Sequence, residues 1–244
     1  MARGFTQRPG IDYFDTFAPV VRYDTVRIVL SIVAAKDLLL TQFDVKTAFL
    51  HGILEEDIFM DQPPGFEDGS DMVCHLRKGL YGLKQSPRAW NKTFDDFLQK
   101  YGLVRCINDP CAYVSKTIDE LVILVLYVDD GLITCSSKSK MDSIITHMNH
   151  AFEITVAGGN YYVGLEIERD RKSKTIGIHC HHYIQRLLFR FGMEDCKPCK
   201  TPGEVGLRLS KEMVPLSHEE KEEMERNPYR EAVGSNVCCL YMST

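Results

Sequence analysis

An uninterrupted apolar run that ends in two adjacent carboxylates constrains the fold of this chain most. Residues 121–128 read Leu-Val-Ile-Leu-Val-Leu-Tyr-Val and are followed directly by Asp129 and Asp130. A continuous apolar run of this length is typical of a strand that is buried on both faces. The apolar pattern resumes over 132–135 after Gly131, which predicts a β-hairpin. The sequence therefore predicts a buried sheet that presents two acids at a hairpin end.

A second acid has a similar setting, because Asp44 closes the apolar strand predicted over 38–45. Carboxylates at the ends of neighbouring strands can bind hard divalent cations such as Mg²⁺ through oxygen. Two such ions about 3.5–4 Å apart can activate an attacking oxygen and stabilise a leaving oxygen in phosphoryl transfer. The competing interpretation is that Asp129 and Asp130 only form a polar turn before glycine. Both interpretations stay open on composition alone.

The composition is that of an ordinary globular protein, and it excludes several classes. The 244 residues are 44% hydrophobic and 26% charged, which excludes a collagen, a disordered tail and a coiled coil. The formal net charge of −5 is not the strongly basic footprint of a dedicated DNA-binding module, although a local basic groove is compatible with it. No stretch approaches the roughly 18 apolar residues of a membrane span, and the first residues lack the apolar core of a signal peptide. We therefore expect an intracellular protein without a membrane partner.

Local patterns predict interspersed strands and helices, and hence an α+β fold. Asp24 is expected to cap a helix that runs to Lys36, and Ser86-Pro87 is typical of a hydroxyl cap followed by proline in the first helical turn. Gly102 is a suitable C-cap for the helix that begins there. Further helices are expected over 139–151, 181–191 and 217–226, and strands over 38–45, 55–62, 73–76, 112–115, 121–128, 132–135, 161–168 and 175–180.

Histidine and cysteine cluster at one place in the sequence. Residues 179–182 read His-Cys-His-His, and Cys196 and Cys199 form a Cys-x-x-Cys pair. These are zinc ligands by type, but a structural zinc site needs four ligands and a second well-spaced pair is missing. The alternative is that the histidines start a helix and the cysteines pack or lie in a turn. The nine cysteines are expected to be reduced thiols, as is usual inside cells.

A series of short motifs in a fixed order resembles the reverse transcriptase of copia-type long-terminal-repeat retrotransposons, over almost the whole chain. The most specific parts are Tyr-Val-Asp-Asp at 127–130 and Phe-Asp-Val-Lys-Thr-Ala-Phe-Leu-His-Gly at 43–52. A lone Tyr-x-Asp-Asp is a weak signal, whereas the ordered series is specific. The other matching segments are Ala-Pro-Val-Val at 18–21, Gln-Pro-Pro-Gly-Phe at 62–66, Leu-Tyr-Gly-Leu-Lys-Gln-Ser-Pro-Arg at 80–88, Gly-Leu-Glu-Ile at 164–167, Cys-Lys-Pro at 196–198, Thr-Pro at 201–202, Tyr-Arg at 229–230 and Gly-Ser at 234–235.

The resemblance implies a polymerase palm, which is an antiparallel sheet backed by helices, together with fingers and part of a thumb. By the same resemblance, Asp44, Asp129 and Asp130 are the catalytic acids and bind two Mg²⁺ ions, with Mn²⁺ as an alternative. The implied reaction is RNA-directed DNA synthesis, in which a primer 3′-hydroxyl attacks the α-phosphate and pyrophosphate leaves. The implied partners are an RNA or DNA template with its primer, deoxynucleoside triphosphates, and the other segments of a Pol polyprotein.

The resemblance also implies roles for residues around the substrate. Phe49 is the expected aromatic gate beneath the sugar, where its ring would exclude a 2′-hydroxyl, and a core aromatic is the alternative. Lys84 is expected to meet a phosphate, or else to be an ordinary solvated lysine. Trp90 is expected in the core rather than as a stacking platform. The nucleotide-binding set also includes Tyr81, Gly82 and Tyr127, and the nucleic-acid-binding set comprises Gln85, Arg88, Gly164, Leu165, Arg186 and Arg190.

Departures from the family pattern concern both ends of the sequence. The family has a basic stretch before Ala-Arg-Gly-Phe, whereas this sequence begins at Met1 and has only Arg3 and Arg8 nearby. Residues 1–202 are assigned to the fingers, the palm and the start of the thumb, and 203–244 to a connection segment that is truncated before ribonuclease H. We therefore expect a polyprotein fragment or a relic copy, with weak or undetectable polymerisation of its own. The parent element is expected in cytoplasmic virus-like particles, with the nucleus as an alternative.

Other classes of function are weighed against the polymerase. One is a catalytically inactive relic that at most binds nucleic acid, which the acidic tail and the absent basic stretch would favour. The other is a metal-dependent nuclease or cyclase on a similar palm, which would not need the template-binding series at 80–88. A P-loop nucleotidase is disfavoured because the sequence has no Gly-Lys-Ser/Thr phosphate loop.

Overall fold

The computed structural model describes residues 1–115, 121–198 and 217–243, and the single positions 206, 208, 210, 213 and 214. These residues form two compact units. The first comprises Met1–Val163 and Ile167–Gly177, and the second comprises Gly164–Glu166 and Ile178–Thr244. The domain boundary predicted between 202 and 203 lies outside the described residues and stays a prediction.

Helices and strands follow one another along the chain as a mixed α and β structure. Over the described residues, no helix is both long and apolar enough to cross a membrane. The helices are α1 (Tyr23–Lys36), α2 (Ser86–Tyr101), α3 (Lys138–Ala151), α4 (His181–Arg190), α5 (His218–Arg226) and α6 (Tyr229–Ser243). The strands are β1 (Leu39–Val45), β2 (Ile53–Met60), β3 (Cys74–Lys78), β4 (Leu103–Arg105), β5 (Ala112–Ser115), β6 (Val122–Tyr127), β7 (Asp130–Cys135), β8 (Ile154–Ala157), β9 (Tyr161–Tyr162), β10 (Leu165–Asp170) and β11 (Thr175–His179).

The apolar run of β6 lies inside a six-stranded sheet of order β4-β5-β6-β7-β1-β8. All neighbouring strands in this sheet are antiparallel. Val122–Leu126 are at most 6% exposed, which confirms the prediction of a strand buried on both faces. Helices α2 and α3 contribute apolar side chains to the same core as this sheet. The members of that core from β1, α2 and α3 include Phe43, Trp90, Phe94, Leu98, Ile144 and Met148.

Helix α2 has the length and the buried face that its sequence predicts, but its N-terminus differs. Pro87 lies in the first turn, and Gly102 ends the helix with a φ of 102°, a left-handed conformation that glycine adopts without strain. The N-cap is Gln85 rather than Ser86, so the predicted hydroxyl cap is wrong. The Ser86 hydroxyl instead donates to the Leu80 carbonyl at 2.8 Å, because the preceding loop folds back onto the start of the helix.

Helix α1 also begins differently from the prediction. Its N-cap is Arg22, and Asp24 lies in the first turn without capping it. Asp109, which is 3% exposed, accepts hydrogen bonds from the Arg22 backbone N–H at 3.0 Å and the Thr25 hydroxyl at 2.6 Å. A distant carboxylate therefore fixes the start of this helix, and sequence spacing alone does not reveal such a partner.

A turn interrupts the strand that the sequence predicts over 161–168. Val163 and Gly164 both have positive φ, at 46° and 82°, and they separate β9 from β10. The predicted single strand is therefore two strands. Glycine adopts this conformation readily, whereas valine is strained there.

In the second unit, helices α4 and α6 are joined by side-chain bonds. The Tyr183 hydroxyl donates to the Ser235 carbonyl at 3.2 Å, and Arg190 forms an ion pair with Glu231. Glu166 receives the His182 backbone N–H at 2.7 Å and the His182 ring at 2.6 Å. A carboxylate at the first turn of α4 is favourable because the exposed N–H groups and the helix dipole attract negative charge.

Candidate active site

Strand register brings two of the predicted acids together. Asp44 of β1 lies directly opposite Asp130 of β7 in the antiparallel ladder, a position in which Cα atoms are about 4.5–5.5 Å apart. Asp129 occupies the two-residue turn between β6 and β7, and its carbonyl accepts the Val45 backbone N–H at 3.0 Å. Asp44, Asp129 and Asp130, here called the acid cluster, therefore lie at one end of the central sheet.

The acid cluster is electrostatically unfavourable in isolation. Burial, and then repulsion by Asp129, raises the pKa of Asp44. Burial also raises the pKa of Asp130, with further increases from Asp129 and Asp44 and an opposing contribution from a Gln42 hydrogen bond. No basic side chain is among the groups that shift these two pKa values. A divalent cation would relieve the repulsion, because a nearby positive charge favours the ionised form of each acid.

The donor chemistry of the acid cluster fits a divalent cation. Carboxylate oxygens are the preferred ligands of Mg²⁺, and repulsion between the acids supplies a reason for one to bind. Over the described ranges, no three His, Cys, Asp or Glu side chains converge closely enough to form a metal site. What the structure does show is the register that sets Asp44 opposite Asp130 and the turn that places Asp129 next to them. The lack of such a convergence in the described ranges also gives no support to a zinc site at 179–182 and Cys196, and Cys199 lies outside the described residues.

The hairpin turn that carries the acids differs in detail from the predicted Asp-Gly turn. The turn residues are Val128 and Asp129, and Asp130 and Gly131 already belong to β7. Gly131 is required by packing, since a Cβ there would lie 1.9 Å from Cζ of the Phe43 ring. The glycine of the motif thus leaves room for a core aromatic of β1 rather than forming the turn.

Tyr81 and Phe49 lie beside the acid cluster. Their ring centroids are 4.4 Å apart. Burial raises the pKa of Tyr81, and the charges of Asp129 and Asp44 raise it further, which places the phenol within electrostatic reach of the acids. Phe49 belongs to a 3-10 helix, Ala48–His51, that follows β1, and its side chain is half-buried. This position is compatible with the predicted gate, which stays a prediction.

The N-terminal segment covers the loop that contains Gly82. The Ala2 N–H donates to the Tyr81 carbonyl at 2.7 Å. A Cβ on Gly82 would lie 2.1 Å from the Ala2 carbonyl, and a Cβ on Gly4 would lie 1.8 Å from the Gly82 carbonyl. The close backbone approach that Gly82 permits is therefore made by this chain's own residues. Lys84 remains exposed at the end of the same loop.

Gln85, predicted to bind nucleic acid, is 2% exposed. Its side chain accepts from the Gln7 amide at 3.0 Å and donates to the Asp12 carbonyl at 2.9 Å. Gln7 also accepts the Lys84 backbone N–H at 2.8 Å. These bonds make Gln85 a link between the N-terminal segment and α2, so its side chain faces the protein interior.

The other predicted nucleic-acid contacts have mixed surroundings. Arg88 forms an ion pair with Asp15 at 3.1 Å, and Arg190 is paired with Glu231, whereas Arg186 is exposed. Leu165 is 1% exposed, so its side chain packs in the interior. The remaining predicted residues are Gly164, which lies in the turn before β10, and Tyr127, which is half-buried and pairs with Asp130 across the hairpin.

Two polar residues near the acids were absent from the sequence prediction. The Gln42 amide donates to Asp130 at 3.5 Å. Tyr162 is fully buried, its hydroxyl has no hydrogen-bond partner among the described residues, and Asp130 is one of the charges that raise its pKa after burial. Gln42 could have been found, because it lies two positions before Asp44 and strand residues at i and i+2 share a face. No local signal indicates Tyr162.

Comparison with known proteins decides the family. Residues 1–205 match the family described as reverse transcriptase (RNA-dependent DNA polymerase). The chain belongs to the reverse transcriptase family. Reverse transcriptases generally use divalent metal ions, in agreement with the repulsion inside the acid cluster of this reverse transcriptase domain. The resemblance inferred from the motif series is thereby confirmed.

Curated relatives of this reverse transcriptase domain include transposon proteins. It is 42% identical over 239 residues to the retrovirus-related Pol polyprotein from transposon TNT 1-94 of Nicotiana tabacum, covering 96% of this chain and 18% of that protein. It is 37% identical over 215 residues to the corresponding polyprotein from transposon RE1 of Arabidopsis thaliana, covering 86% and 14%. Identity to the putative transposon Ty5-1 protein YCL074W of Saccharomyces cerevisiae is 29% over 199 residues, covering 80% and 62%. The chain thus spans less than a fifth of the length of the two plant polyproteins.

Proposed function

We propose that this chain carries out RNA-directed DNA synthesis as the polymerase part of a copia-type retrotransposon Pol polyprotein. The observation that carries the proposal is the register of β1 and β7, which sets Asp44 opposite Asp130 beside Asp129. Acids brought together at this energetic disadvantage need a function, because like charges destabilise a fold unless a cation binds between them. Phosphoryl transfer with divalent ions is the chemistry that the family assignment supports.

In the proposed mechanism, Asp44, Asp129 and Asp130 would hold two Mg²⁺ ions. The ions would supply Lewis acidity and charge neutralisation at the attacking and leaving oxygens. The chain's own contribution is to orient the three carboxylates, through the β1–β7 ladder and through the bond from the Val45 N–H to the Asp129 carbonyl. Such positioning lets the primer 3′-hydroxyl meet the α-phosphate in line, with release of pyrophosphate.

The proposed nucleotide site lies on the Tyr81 side of the acid cluster. The Tyr81 and Phe49 rings are in contact and offer an apolar surface beside the acids. In this site Phe49 would pack beneath the deoxyribose and exclude a 2′-hydroxyl, and the exposed Lys84 would meet a phosphate. The N-terminal bond from Ala2 to the Tyr81 carbonyl holds this surface in place.

The parts of a polymerase are assigned as follows in this proposal. The six-stranded sheet with α2 and α3 is the palm, and the β2–β3 ribbon with the N-terminal segment belongs to the fingers. Helix α4 belongs to the thumb, where the exposed Arg186 would meet a phosphate of the primer–template. Contact of the β9–β10 turn with a primer would involve its backbone, because the Leu165 side chain is buried.

Primer extension on an RNA template tests the proposal. The full chain should incorporate deoxynucleotides in the presence of Mg²⁺ or Mn²⁺. Asp129→Asn and Asp130→Asn should each lower the rate on the order of 10²-fold or more. Each change removes a metal ligand and with it several kcal/mol of transition-state stabilisation, and every 1.36 kcal/mol corresponds to a tenfold change in rate. Asp71→Asn is the matched control, because Asp71 is an exposed loop residue, and it should leave the rate unchanged. Nucleic-acid binding without any extension would favour the inactive relic instead.

A further inference from the structure

The only tryptophan of the chain, Trp90, is joined to the turn of the acid cluster. Trp90 is 1% exposed and belongs to the buried face of α2, as the sequence predicts. Its indole N–H donates to the Val128 carbonyl at 2.6 Å. A buried indole N–H usually has a hydrogen-bond partner. Here that partner is the residue immediately before Asp129.

The conformation of Val128 explains why the turn needs an external contact. Its φ is 59°, which lies in the left-handed region that β-branched residues rarely adopt. In a two-residue hairpin turn, a first residue with positive φ is usually glycine, asparagine or aspartate. Such a strained conformation persists only where surrounding contacts fix it. Two contacts do so, namely the Trp90 bond to the Val128 carbonyl and the Val45 bond to the Asp129 carbonyl.

The indole itself is held firmly from several sides. Its ring centroid lies 5.2 Å from that of Phe94 and 5.3 Å from that of Phe152, the latter edge to face. The backbone of Trp90 is also packed closely, since a Cβ built on Gly52 would lie 2.7 Å from the Trp90 backbone nitrogen. The donor is thus a rigid point of the core rather than a mobile surface group, and it can transmit the position of α2 to the turn.

We propose that Trp90 is a positioning residue for catalysis, which sets the orientation of Asp129 and Asp130 through the Val128 carbonyl. The inference rests on the proposed function, in which these acids hold the metal ions. Without the N–H bond, the strained Val128 would relax and the two carboxylates would lose their alignment with Asp44. A tryptophan that only fills the core would give the same protein whether or not its ring carried an N–H.

Replacement of the indole N–H by sulfur distinguishes a residue that positions the turn from one that only fills the core. In a tryptophan auxotroph, benzothienylalanine replaces Trp90 alone, because the chain contains one tryptophan, and its sulfur removes the N–H while keeping the ring size. The matched control is 5-fluorotryptophan, which retains the N–H. The benzothienyl protein should show about 10-fold lower kcat for single-nucleotide incorporation, the change expected when a hydrogen bond of about 1.4 kcal/mol is lost. The KM for nucleotide should stay close to that of the control, and the thermal midpoint should fall only by the few degrees that loss of one buried hydrogen bond causes.

Amide hydrogen exchange provides a readout that needs no activity. Loss of the N–H should accelerate exchange at Val45 and Asp130 about 10-fold, without a matching change in the centre of α3. The mutants Trp90→Phe and Phe94→Leu repeat the comparison by ordinary mutagenesis, since both remove side-chain volume from the same aromatic core and only the first removes the bond to the turn. At matched stability, Trp90→Phe should have the lower kcat.

Equal kcat and equal exchange in the benzothienyl and fluorotryptophan proteins would overturn the inference. If the fluorotryptophan protein fails to extend primers at all, the proposed function has failed, and with it the role of Trp90 in positioning the acids for catalysis. Amide exchange at Val45 and Asp130 then tests separately whether the indole N–H restrains the turn. Faster exchange supports the restraint of the turn by the indole N–H, and unchanged exchange refutes it.

Discussion

At the scale of the residue, the acid cluster weakens the fold that contains it. Burial and neighbouring charges raise the pKa of Asp130 in the folded chain above its value of about 3.8 in the unfolded chain. A group with a raised folded-state pKa contributes stability below its unfolded-state pKa, and that stability is lost as the pH rises through the folded-state value. At neutral pH the ionised Asp130 is therefore a net cost to folding.

Asp130→Asn should raise the free energy of unfolding at pH 7 while removing catalysis. Urea denaturation at several pH values is the measurement, and the gain should shrink as the pH falls towards 3.8. Added Mg²⁺ should stabilise the wild-type chain more than the variant. Asp71→Asn serves again as the control. A variant less stable than the wild type at pH 7 would contradict the account of the raised pKa.

Tyr162 offers a second test at this scale. Its hydroxyl is fully buried without a partner among the described residues, and an unsatisfied buried polar group costs about 1–3 kcal/mol. Tyr162→Phe should therefore increase the free energy of unfolding by about that amount, measured by urea denaturation. The adjacent Tyr161 is 47% exposed, so Tyr161→Phe should change little. A destabilised Tyr162→Phe variant would show that the hydroxyl is satisfied after all.

At the scale of the element, strands β1 and β7 fit together through a glycine and an aromatic ring. A Cβ on Gly131 would overlap the Phe43 ring, and overpacking of a core costs about 1–3 kcal/mol. Gly131→Ala should lower stability by at least this amount, and the double variant with Phe43→Leu should recover part of the loss. Gly177→Ala is the control, because its Cβ would meet only the Glu168 carbonyl at 3.8 Å. Thermal unfolding of the four proteins gives the comparison, and equal midpoints for the two glycine variants would contradict it.

The elements that the sequence predicted best are those defined by local pattern. The apolar run of β6, the buried face of α2 and its Gly102 C-cap all follow from periodicity and glycine conformation, and all are present. The start of α1 was misassigned because its partner is Asp109, far along the chain. Local patterns specify what a segment prefers, whereas long-range contacts decide how it ends.

The residues of the candidate site also fall into those that local pattern predicts and those that depend on long-range contacts. The apolar strands predicted Asp44 and the hairpin acids at strand ends, and antiparallel pairing brings them together. Pairing partners are not encoded locally, so the sequence could not indicate that Gln85 is buried against Gln7 or that Trp90 bonds to the turn. Val128 was missed because a positive φ at valine contradicts its intrinsic preference and depends on tertiary contacts.

At the scale of the whole molecule, the net charge of −5 requires any nucleic acid to be bound through local basic groups. An ion pair within the chain reduces the number of basic groups that can bind a phosphate, because Arg190 is paired with Glu231 in the second unit. Both side chains are about half exposed or more, so the pair itself contributes little stability. Its main effect is to neutralise a charge that could contact a phosphate.

Glu231→Gln should therefore strengthen primer–template binding and make it more sensitive to salt. One added phosphate contact makes the slope of log K against log salt more negative by about 0.9 for a duplex. Fluorescence anisotropy at several salt concentrations measures the slope. Glu219→Gln gives the same change in net charge at an exposed residue of α5 and should leave the slope unchanged. Equal slopes in the two variants would mean that only net charge matters.

Strand β1 lies between β7 and β8, so it is synthesised before both of the strands with which it pairs. Gln42 and the Asp130 to which it donates are 88 positions apart, which corresponds to roughly 4–18 s of synthesis at about 5–20 residues per second. Throughout this interval the nascent chain carries Asp44 on a strand without its partner, and an unpaired strand edge is prone to aggregate. Pairing of β1 with β7 completes the acid cluster, but the other edge of β1 stays unpaired until β8, Ile154–Ala157, has been synthesised. A nascent chain that has assembled the three acids therefore still lacks one strand of its central sheet.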